Sequence, residues 1–295
     1  MSVYELSKLK KIFIRIKNKI IFIFILYFPL NFKYFFLPFP SHNFGFNRKL
    51  SKKKYLDLFK KIKKKKYPNI NKIEKKFLRK INTNYLDKLA LTTQITHKKN
   101  QINYQHGRLL YGYLYNLIKL KKLRFINIFE TGTARGFSSI CMSRAIIDTK
   151  IKGKIDTIDI LPHNQKMMWN SIHDHDGPLT RRQLLNPWSK EMKNINFIQD
   201  WSISYIDKKK NNLKRYNFAF LDAAHDFKSA YKEFLFVSKN QKKNDIIFFD
   251  DINKTSFKDL FKIKKFLTEN FKKYDFNFLK NTKNRSYLIA NRNND

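Results

Sequence analysis

The sequence predicts an α/β protein with a doubly wound, mostly parallel sheet. Short apolar runs recur along the second half of the chain, and most of them end on an acidic residue. Segments with the apolar spacing of helices lie between several of these runs. A glycine-containing turn joins the first run to the first of these helices. Alternating buried strands and helices are typical of a parallel sheet that is covered on both faces.

The first strand–turn–helix unit lies at residues 125–147. An almost wholly apolar run at 125–129 ends on Glu130, and a helical pattern begins at Ser138. The chain has only 7 Gly in 295 residues, whereas average usage of about 7% would give roughly 20. Two of them, Gly132 and Gly136, stand in this one turn, which indicates close approach of the backbone to a ligand.

The spacing of this turn argues against a phosphate ligand. It reads Glu-x-Gly-x-x-x-Gly, and neither G-x-G-x-x-G nor G-x-x-x-x-G-K-[ST] occurs in the chain. An acid at the strand end, without a lysine in the loop, suits a ligand with a positive amino group, such as S-adenosylmethionine. The alternative is a purely structural turn. For cofactor binding in this unit we predict Glu130, Gly132, Thr133, Gly136 and Ser138.

Four further strands and a closing hairpin follow this unit. We predict strands at 154–160, 195–199, 216–221, 245–249, 274–279 and 285–290, and helices at 103–120, 227–237 and 257–271. The hairpin makes the last strand antiparallel. The polar and aromatic insertion at 162–188 is long enough to be functional or partly helical. Its His173 and His175 are either a second metal pair or, as is more common, solvated or substrate-facing side chains.

Acidic residues stand at the carboxyl ends of five successive predicted strands, namely Glu130, Asp159, Asp200, Asp222 and the pair Asp250 and Asp251. Ligands of such sheets bind at this edge. Asp159 is placed where a carboxylate can bind the two hydroxyls of a ribose, with a helix or turn cap as the alternative. Asp200 and Trp201 suit the edge and the face of an adenine.

Four motifs, in the order ETGTARGFSS, TIDI, FAFLDAAHDF and IIFFDDIN, resemble the class I S-adenosylmethionine-dependent methyltransferases. They are most similar to the branch that contains the metal-dependent sugar O-methyltransferases of macrolide biosynthesis and the cephalosporin hydroxylase-like proteins. The likeness covers roughly residues 105–291. It implies a seven-stranded, Rossmann-like sheet and S-adenosylmethionine as the cofactor.

The resemblance also implies a cation site and a catalytic base. By likeness to that branch, Asp222, Asp250 and Asp251 would hold a divalent cation, and His225 would accept a proton, with Asp222 as the second catalytic residue. Three carboxylates without a sulfur ligand suit Mg²⁺ or Mn²⁺. The reaction implied is O-methylation of one of two neighbouring hydroxyls on a sugar, glycoconjugate or related small molecule. As alternatives, Asp251 caps the next helix and His225 is structural.

The charge of the chain leaves other partners open. The formal net charge is +39, from 62 Lys+Arg and 23 Asp+Glu. Such a positive charge attracts nucleic acid or anionic membranes. Alternatively, it reflects compositional drift and has no function, because the lysines are spread along the chain. An RNA methyltransferase and a non-catalytic basic protein that binds membrane or RNA are therefore alternatives, and a homo-oligomer is not excluded. The N-methyltransferase signature [DN]-P-P-[FYW] is absent. A protein without a ligand would have no need of acids at every strand end.

We predict three parts of the chain: a basic-apolar segment at 1–40, a lysine-rich helical extension at 41–104, and the methyltransferase domain at 105–295. The apolar run at 20–28 is too short to span a bilayer as a helix, and no small-residue cleavage site follows it. It either anchors the protein on an anionic membrane surface or packs against protein. In the extension, helices are predicted at 55–66 and 73–81.

The single cysteine, Cys141, excludes a disulfide within the chain. A cytoplasmic location is therefore expected, free or on the inner face of the membrane.

Overall fold

The computed structural model describes residues 50–97, 101–211, 214–223, 225–254, 257–282 and 285–294. One sheet of seven strands has the order β3-β2-β1-β4-β5-β7-β6. The strands are β1 (Phe125–Thr131), β2 (Lys152–Asp159), β3 (Ile195–Gln199), β4 (Phe218–Leu221), β5 (Ile246–Phe249), β6 (Tyr274–Thr282) and β7 (Arg285–Arg292). Strands β1 to β5 pair in parallel, and β7 is antiparallel to both β5 and β6. The predicted doubly wound sheet with an antiparallel last strand is confirmed.

Helices lie along the chain before and between the strands. They are α1 (Lys52–Lys63), α2 (Pro68–Glu74), α3 (Thr83–Thr93), α4 (His106–Leu120), α5 (Phe137–Thr149), α6 (Arg181–Leu184), α7 (Ser189–Met192), α8 (Ser202–Lys209), α9 (Phe227–Ser238) and α10 (Lys258–Asn270). Two 3-10 turns lie in the insertion after β2, at Ile172–Asp176 and Asn186–Trp188. The insertion is therefore partly helical.

Two apolar layers cover the two faces of the sheet. Neighbouring residues of a strand point to opposite faces, so Phe248 packs in one layer and Phe249 in the other. The first layer contains the buried sides of α1 to α5, and the second contains those of α8 to α10. Burial of this apolar surface is the main force that holds the sheet between its helices.

The lysine-rich extension packs into the first of these layers. Tyr55, Ile70 and Leu89 are completely buried and belong to the same cluster as Ile128 of β1. In the described residues, no helix is long and apolar enough to cross a membrane. The predicted basic-apolar segment at 1–40 lies outside the described residues.

Two helices of the extension differ from the prediction. The helix predicted at 73–81 is wrong, because α2 begins at Pro68 and ends at Glu74. Proline fits the first position of a helix, where its missing N–H costs nothing. The helix α3 was not predicted; it begins after Asn82, whose side chain accepts a hydrogen bond from the amide of Tyr85 at 2.9 Å. In both cases the start of the helix is set by a terminal residue rather than by apolar periodicity.

Candidate active site

The carboxyl ends of β2, β1, β4 and β5 lie side by side at one edge of the sheet. Hydrogen bonds continue the parallel ladder one residue beyond the strands. The amide of Gly132 donates to the carbonyl of Ile158 at 2.9 Å, and the amide of Asp222 donates to the carbonyl of Thr131 at 3.1 Å. The sheet therefore lines up the predicted residues at the ends of these strands.

Both glycines of the turn between β1 and α5 are required by the backbone. Gly132 has a φ of 85°, and a Cβ there would lie 2.3 Å from the carbonyl oxygen of Asp222. Gly136 has a φ of 86°, and a Cβ there would lie 2.7 Å from Cδ1 of Leu185. These positive φ angles disfavour other residues. The turn at 131–136, here named the cofactor loop, thus lies directly against the end of β4.

Three of the predicted cofactor residues lie beneath this loop. Glu130 is completely buried, and its carboxylate accepts hydrogen bonds from the hydroxyls of Ser138 and Ser139. Burial raises the pKa of Glu130, although these hydroxyls lower it. The hydroxyl of Thr133 lies 2.5 Å from that of Thr157. Glu130, Thr133 and Ser138 therefore brace the loop in this structure, and their direct contact with a cofactor stays a prediction.

Other predicted cofactor residues are open to solvent. Asp159 is partly exposed, and its carboxylate accepts from the amides of Ala134 at 2.6 Å and Leu161 at 2.7 Å. Its orientation is thereby fixed, and each oxygen keeps a second lone pair for a ligand hydroxyl. Asp200 accepts from the ammonium group of Lys208 at 2.6 Å, and the neighbouring Trp201 is 48% exposed.

Two buried arginines, which the sequence analysis did not single out, attach the insertion to the cofactor loop. The guanidinium of Arg135 donates to the carbonyl of Trp169, and that of Arg181 donates to the carbonyl of Ala134 at 2.9 Å. Arginines within a polar insertion and a glycine turn resemble solvated or phosphate-binding side chains in sequence. Their burial against backbone carbonyls becomes visible only in the folded chain.

The two histidines of the insertion contact the extension. His173 lies 3.2 Å from the hydroxyl of Thr92, and His175 lies 2.7 Å from the carbonyl oxygen of Leu50. Each ring thus has its own hydrogen-bond partner. This arrangement favours a structural role for both over a shared metal.

An acidic cluster lies beside the cofactor loop. Asp222, His225 and Asp251 each offer one metal-ligand atom, and these atoms lie within 4.8 Å of one another. The ring of His225 packs against that of Phe257, with 4.2 Å between the ring centres. Asp251 has a φ of 53°, which an aspartate adopts more readily than most residues. Such backbone strain is most often found at functional sites.

Asp250 is in a different position from the other two aspartates. Its carboxylate accepts hydrogen bonds from the guanidinium of Arg285, the first residue of β7. The Nε of Arg285 also lies 3.6 Å from Oδ1 of Asp251. Arg285 could not be predicted as a site residue, because its neighbours become known only with the register of the closing hairpin. The structure thus brings Asp222, Asp251 and His225 together and pairs Asp250 with an arginine.

The charges of the cluster are strongly perturbed. Burial and the neighbouring carboxylates of Asp250 and Asp251 raise the pKa of Asp222 well above its ordinary value. Loss of solvation lowers the pKa of His225, although Asp251 raises it. A lowered pKa favours the neutral imidazole, which is the form that can accept a proton. Carboxylate oxygens and an imidazole nitrogen at these distances fit a divalent cation such as Mg²⁺ or Mn²⁺.

Comparisons with known proteins found a matching family model and solved structures of similar fold. Residues 129–252 match a family model described as a methyltransferase domain. Similar solved structures include a candidate O-methyltransferase from Klebsiella pneumoniae, with 14% identity, coverage of 76% of this chain and 95% of that chain, and a TM-score of 0.50. The O-methyltransferase TomG from Streptomyces achromogenes has 15% identity, coverage of 73% of this chain and 92% of that chain, and a TM-score of 0.50.

No curated protein matches the chain. At these identities the structural likeness shows a shared fold, and the family match runs from the end of β1 through β5. Together, the domain match and the fold show that residues 129–252 resemble a methyltransferase domain and that the chain has a Rossmann-like methyltransferase fold.

Proposed function

We propose that the protein transfers a methyl group from S-adenosylmethionine to one hydroxyl of a small molecule with two neighbouring hydroxyls, such as a sugar or glycoconjugate. The observation that carries this proposal is the position of the acidic cluster. Asp222, His225 and Asp251 converge where the cofactor loop meets the end of β4. On this proposal, a proton acceptor and the cation ligands would lie beside the methyl donor.

The cofactor side of the site is assigned as follows. Asp159 would accept hydrogen bonds from the ribose hydroxyls, because its carboxylate is held by two backbone amides and remains partly exposed. Trp201 would pack against the adenine, and Asp200 would accept from its amino group. Gly132 and Gly136 let the loop approach the ligand. TomG, which was solved in complex with S-adenosylmethionine, has the same fold.

The acceptor side is assigned to the acidic cluster. Asp222 and Asp251 would hold a divalent cation, which commonly keeps water or substrate oxygens as its other ligands when two carboxylates bind it. When bound, such a cation orients two neighbouring hydroxyls and lowers the pKa of one. His225 would take the proton of that hydroxyl, since its lowered pKa favours the neutral imidazole. Alignment of the hydroxyl with the methyl group would supply much of the acceleration.

The first test is calorimetric titration of S-adenosylhomocysteine into the purified protein, with Mg²⁺ and again with EDTA. We expect binding that Asp159→Asn weakens at least about tenfold, because a fixed hydrogen-bond acceptor is lost. Asp207→Asn is the matched control, since Asp207 forms an exposed ion pair with Lys232 away from the strand ends. No binding in either condition would contradict the proposal.

The acceptor is tested separately, with labelled S-adenosylmethionine and with sugars or RNA. We expect methyl transfer to a vicinal diol, stimulated by Mg²⁺ or Mn²⁺ and lost in Asp251→Asn. Transfer to RNA instead, with steep salt dependence, would replace the diol with a nucleic-acid acceptor.

A further inference from the structure

The carboxylate of Asp250 accepts three hydrogen bonds within the protein. Its Oδ1 accepts from the amide of Asp251 at 2.7 Å and from Nε of Arg285 at 3.2 Å, and its Oδ2 accepts from Nη2 of Arg285. The side chain of Asp250 is 0% exposed. A cation bound to this carboxylate would lie beside the guanidinium of Arg285, and the repulsion between the two positive charges disfavours such binding.

Arg285 is well placed to hold this pair. It is the first residue of β7, and the next residue, Ser286, accepts a hydrogen bond from the amide of Ile252 at 3.0 Å. The backbone of β7 is thus fixed beside the turn that contains Asp250 and Asp251. A guanidinium matches a carboxylate with two parallel donors, which a lysine cannot do.

The pair also sets the charge of the cluster. With both groups charged, the pair of Asp250 and Arg285 contributes no net charge, so Asp222 and Asp251 supply two formal negative charges for a cation. A divalent cation neutralises this charge.

We propose that Arg285 is a positioning residue of the methyltransferase site. Its guanidinium binds the carboxylate of Asp250, so that Asp222 and Asp251 remain as the cation ligands. This inference rests on the proposed function. It differs from the family resemblance, which makes Asp250 a ligand. Asp250 then acts on the cation only through its pair with Arg285.

A double-mutant cycle on the full chain tests this assignment, with Mn²⁺ affinity measured from the electron paramagnetic resonance signal of free Mn²⁺. Asp250→Asn leaves the arginine uncompensated, so we expect Mn²⁺ affinity to fall about tenfold. Adding Arg285→Gln restores the two formal negative charges, and the affinity should return to within about twofold of the wild type. Adding Asp251→Asn to this double variant should lower the affinity again, because a ligand is lost.

The affinity for S-adenosylhomocysteine, measured on each variant, should stay unchanged and shows that the fold is intact. If the double variant binds Mn²⁺ as weakly as Asp250→Asn alone, Asp250 is itself a ligand and the inference is wrong. If the wild type binds no Mn²⁺, the proposed cation site fails, and this assignment fails with it.

A second measurement follows the wild type, and a variant serves only to assign one signal. In ¹⁵N-labelled protein, the Nε–H signal of Arg285, identified by its loss in Arg285→Lys, reports the hydrogen bond to Asp250. The signal should keep its position and slow exchange when Mg²⁺ is added. Loss of its protection with Mg²⁺ would show that Asp250 leaves the arginine for the cation and would overturn the proposal.

Discussion

At the level of single residues, His225 has two chemically distinct roles open to it. Its imidazole lies close enough to Asp222 and Asp251 to ligate a cation with them. The same position, beside the expected acceptor hydroxyl, suits a proton acceptor. The lowered pKa of His225 agrees with either role, because both need a neutral ring. The two roles differ in what the loss of the ring does to cation binding.

We predict that His225→Gln lowers kcat about 10²- to 10⁴-fold, the usual contribution of a general base. The affinity for Mn²⁺ should change by no more than about threefold, because Asp222 and Asp251 remain as its ligands. Steady-state kinetics and Mn²⁺ titration of the same preparations measure both quantities. A parallel loss of kcat and of Mn²⁺ affinity would make His225 a ligand instead.

The residues at the strand ends were predictable because an apolar run that ends on an acid marks the carboxyl end of a buried strand. The direction in which a polar side chain points at the end of a strand could not be predicted from the sequence. Glu130 and Ser138 follow the expected pattern, yet they bond to each other beneath the cofactor loop. Arg285 was not predictable either, because only the register of β7 against β5 brings it to Asp250.

At the level of elements, the predicted strands agree closely with the structure because their cores are continuous apolar runs. Strand β3 has the predicted bounds, and β4 begins two residues later than predicted. The helices of the extension were harder to predict, since α2 and α3 depend on Pro68 and on the cap Asn82. Signals at the start of a helix are short, and the many surrounding lysines obscure the apolar spacing that would otherwise predict the helix.

The helix α9 contains a buried acid that the proposed reaction does not use. Glu233 is completely buried against β1, where its Oε2 accepts a hydrogen bond from the hydroxyl of Thr131 at 3.1 Å. Burial raises the pKa of Glu233 to about 7, although the nearby hydroxyls of Ser202 and Thr131 lower it in part. Because the folded chain holds this proton more tightly than the unfolded chain, the free energy of unfolding falls as the pH rises from about 4.5 to about 7.

We predict that Glu233→Gln stabilises the protein at high pH, because the amide keeps the hydrogen bond from Thr131 without a charge to bury. The gain in free energy of unfolding over the wild type should grow by about 2 kcal/mol between pH 5 and pH 8. Urea denaturation at the two pH values measures it. A gain that is the same at both values would show that the carboxyl group does not titrate in this range.

At the level of the whole molecule, the extension and the sheet share one apolar layer. The ring of Phe77 packs so closely on α4 that a Cβ at Gly112 would lie 2.0 Å from it. Arg108 of α4 forms an ion pair with Glu74 of α2. Through these contacts the described residues of the extension pack against α4 and the apolar layer that contains Ile128 of β1, and the predicted boundary at residue 104 stays a prediction.

We predict that a fragment of residues 105–295 does not fold on its own, whereas a fragment of residues 50–295 does. The shorter fragment loses the completely or nearly completely buried side chains Tyr55, Ile70, Leu86 and Leu89. Each contributes about 2 kcal/mol of apolar burial, so their sum approaches the net stability of a typical domain, about 5 to 15 kcal/mol. Thermal unfolding followed by circular dichroism should be cooperative for 50–295 and absent for 105–295. Cooperative unfolding of both fragments at similar temperatures would establish the predicted boundary at residue 104 as a true domain boundary, because the sheet would then be stable without α1 to α3.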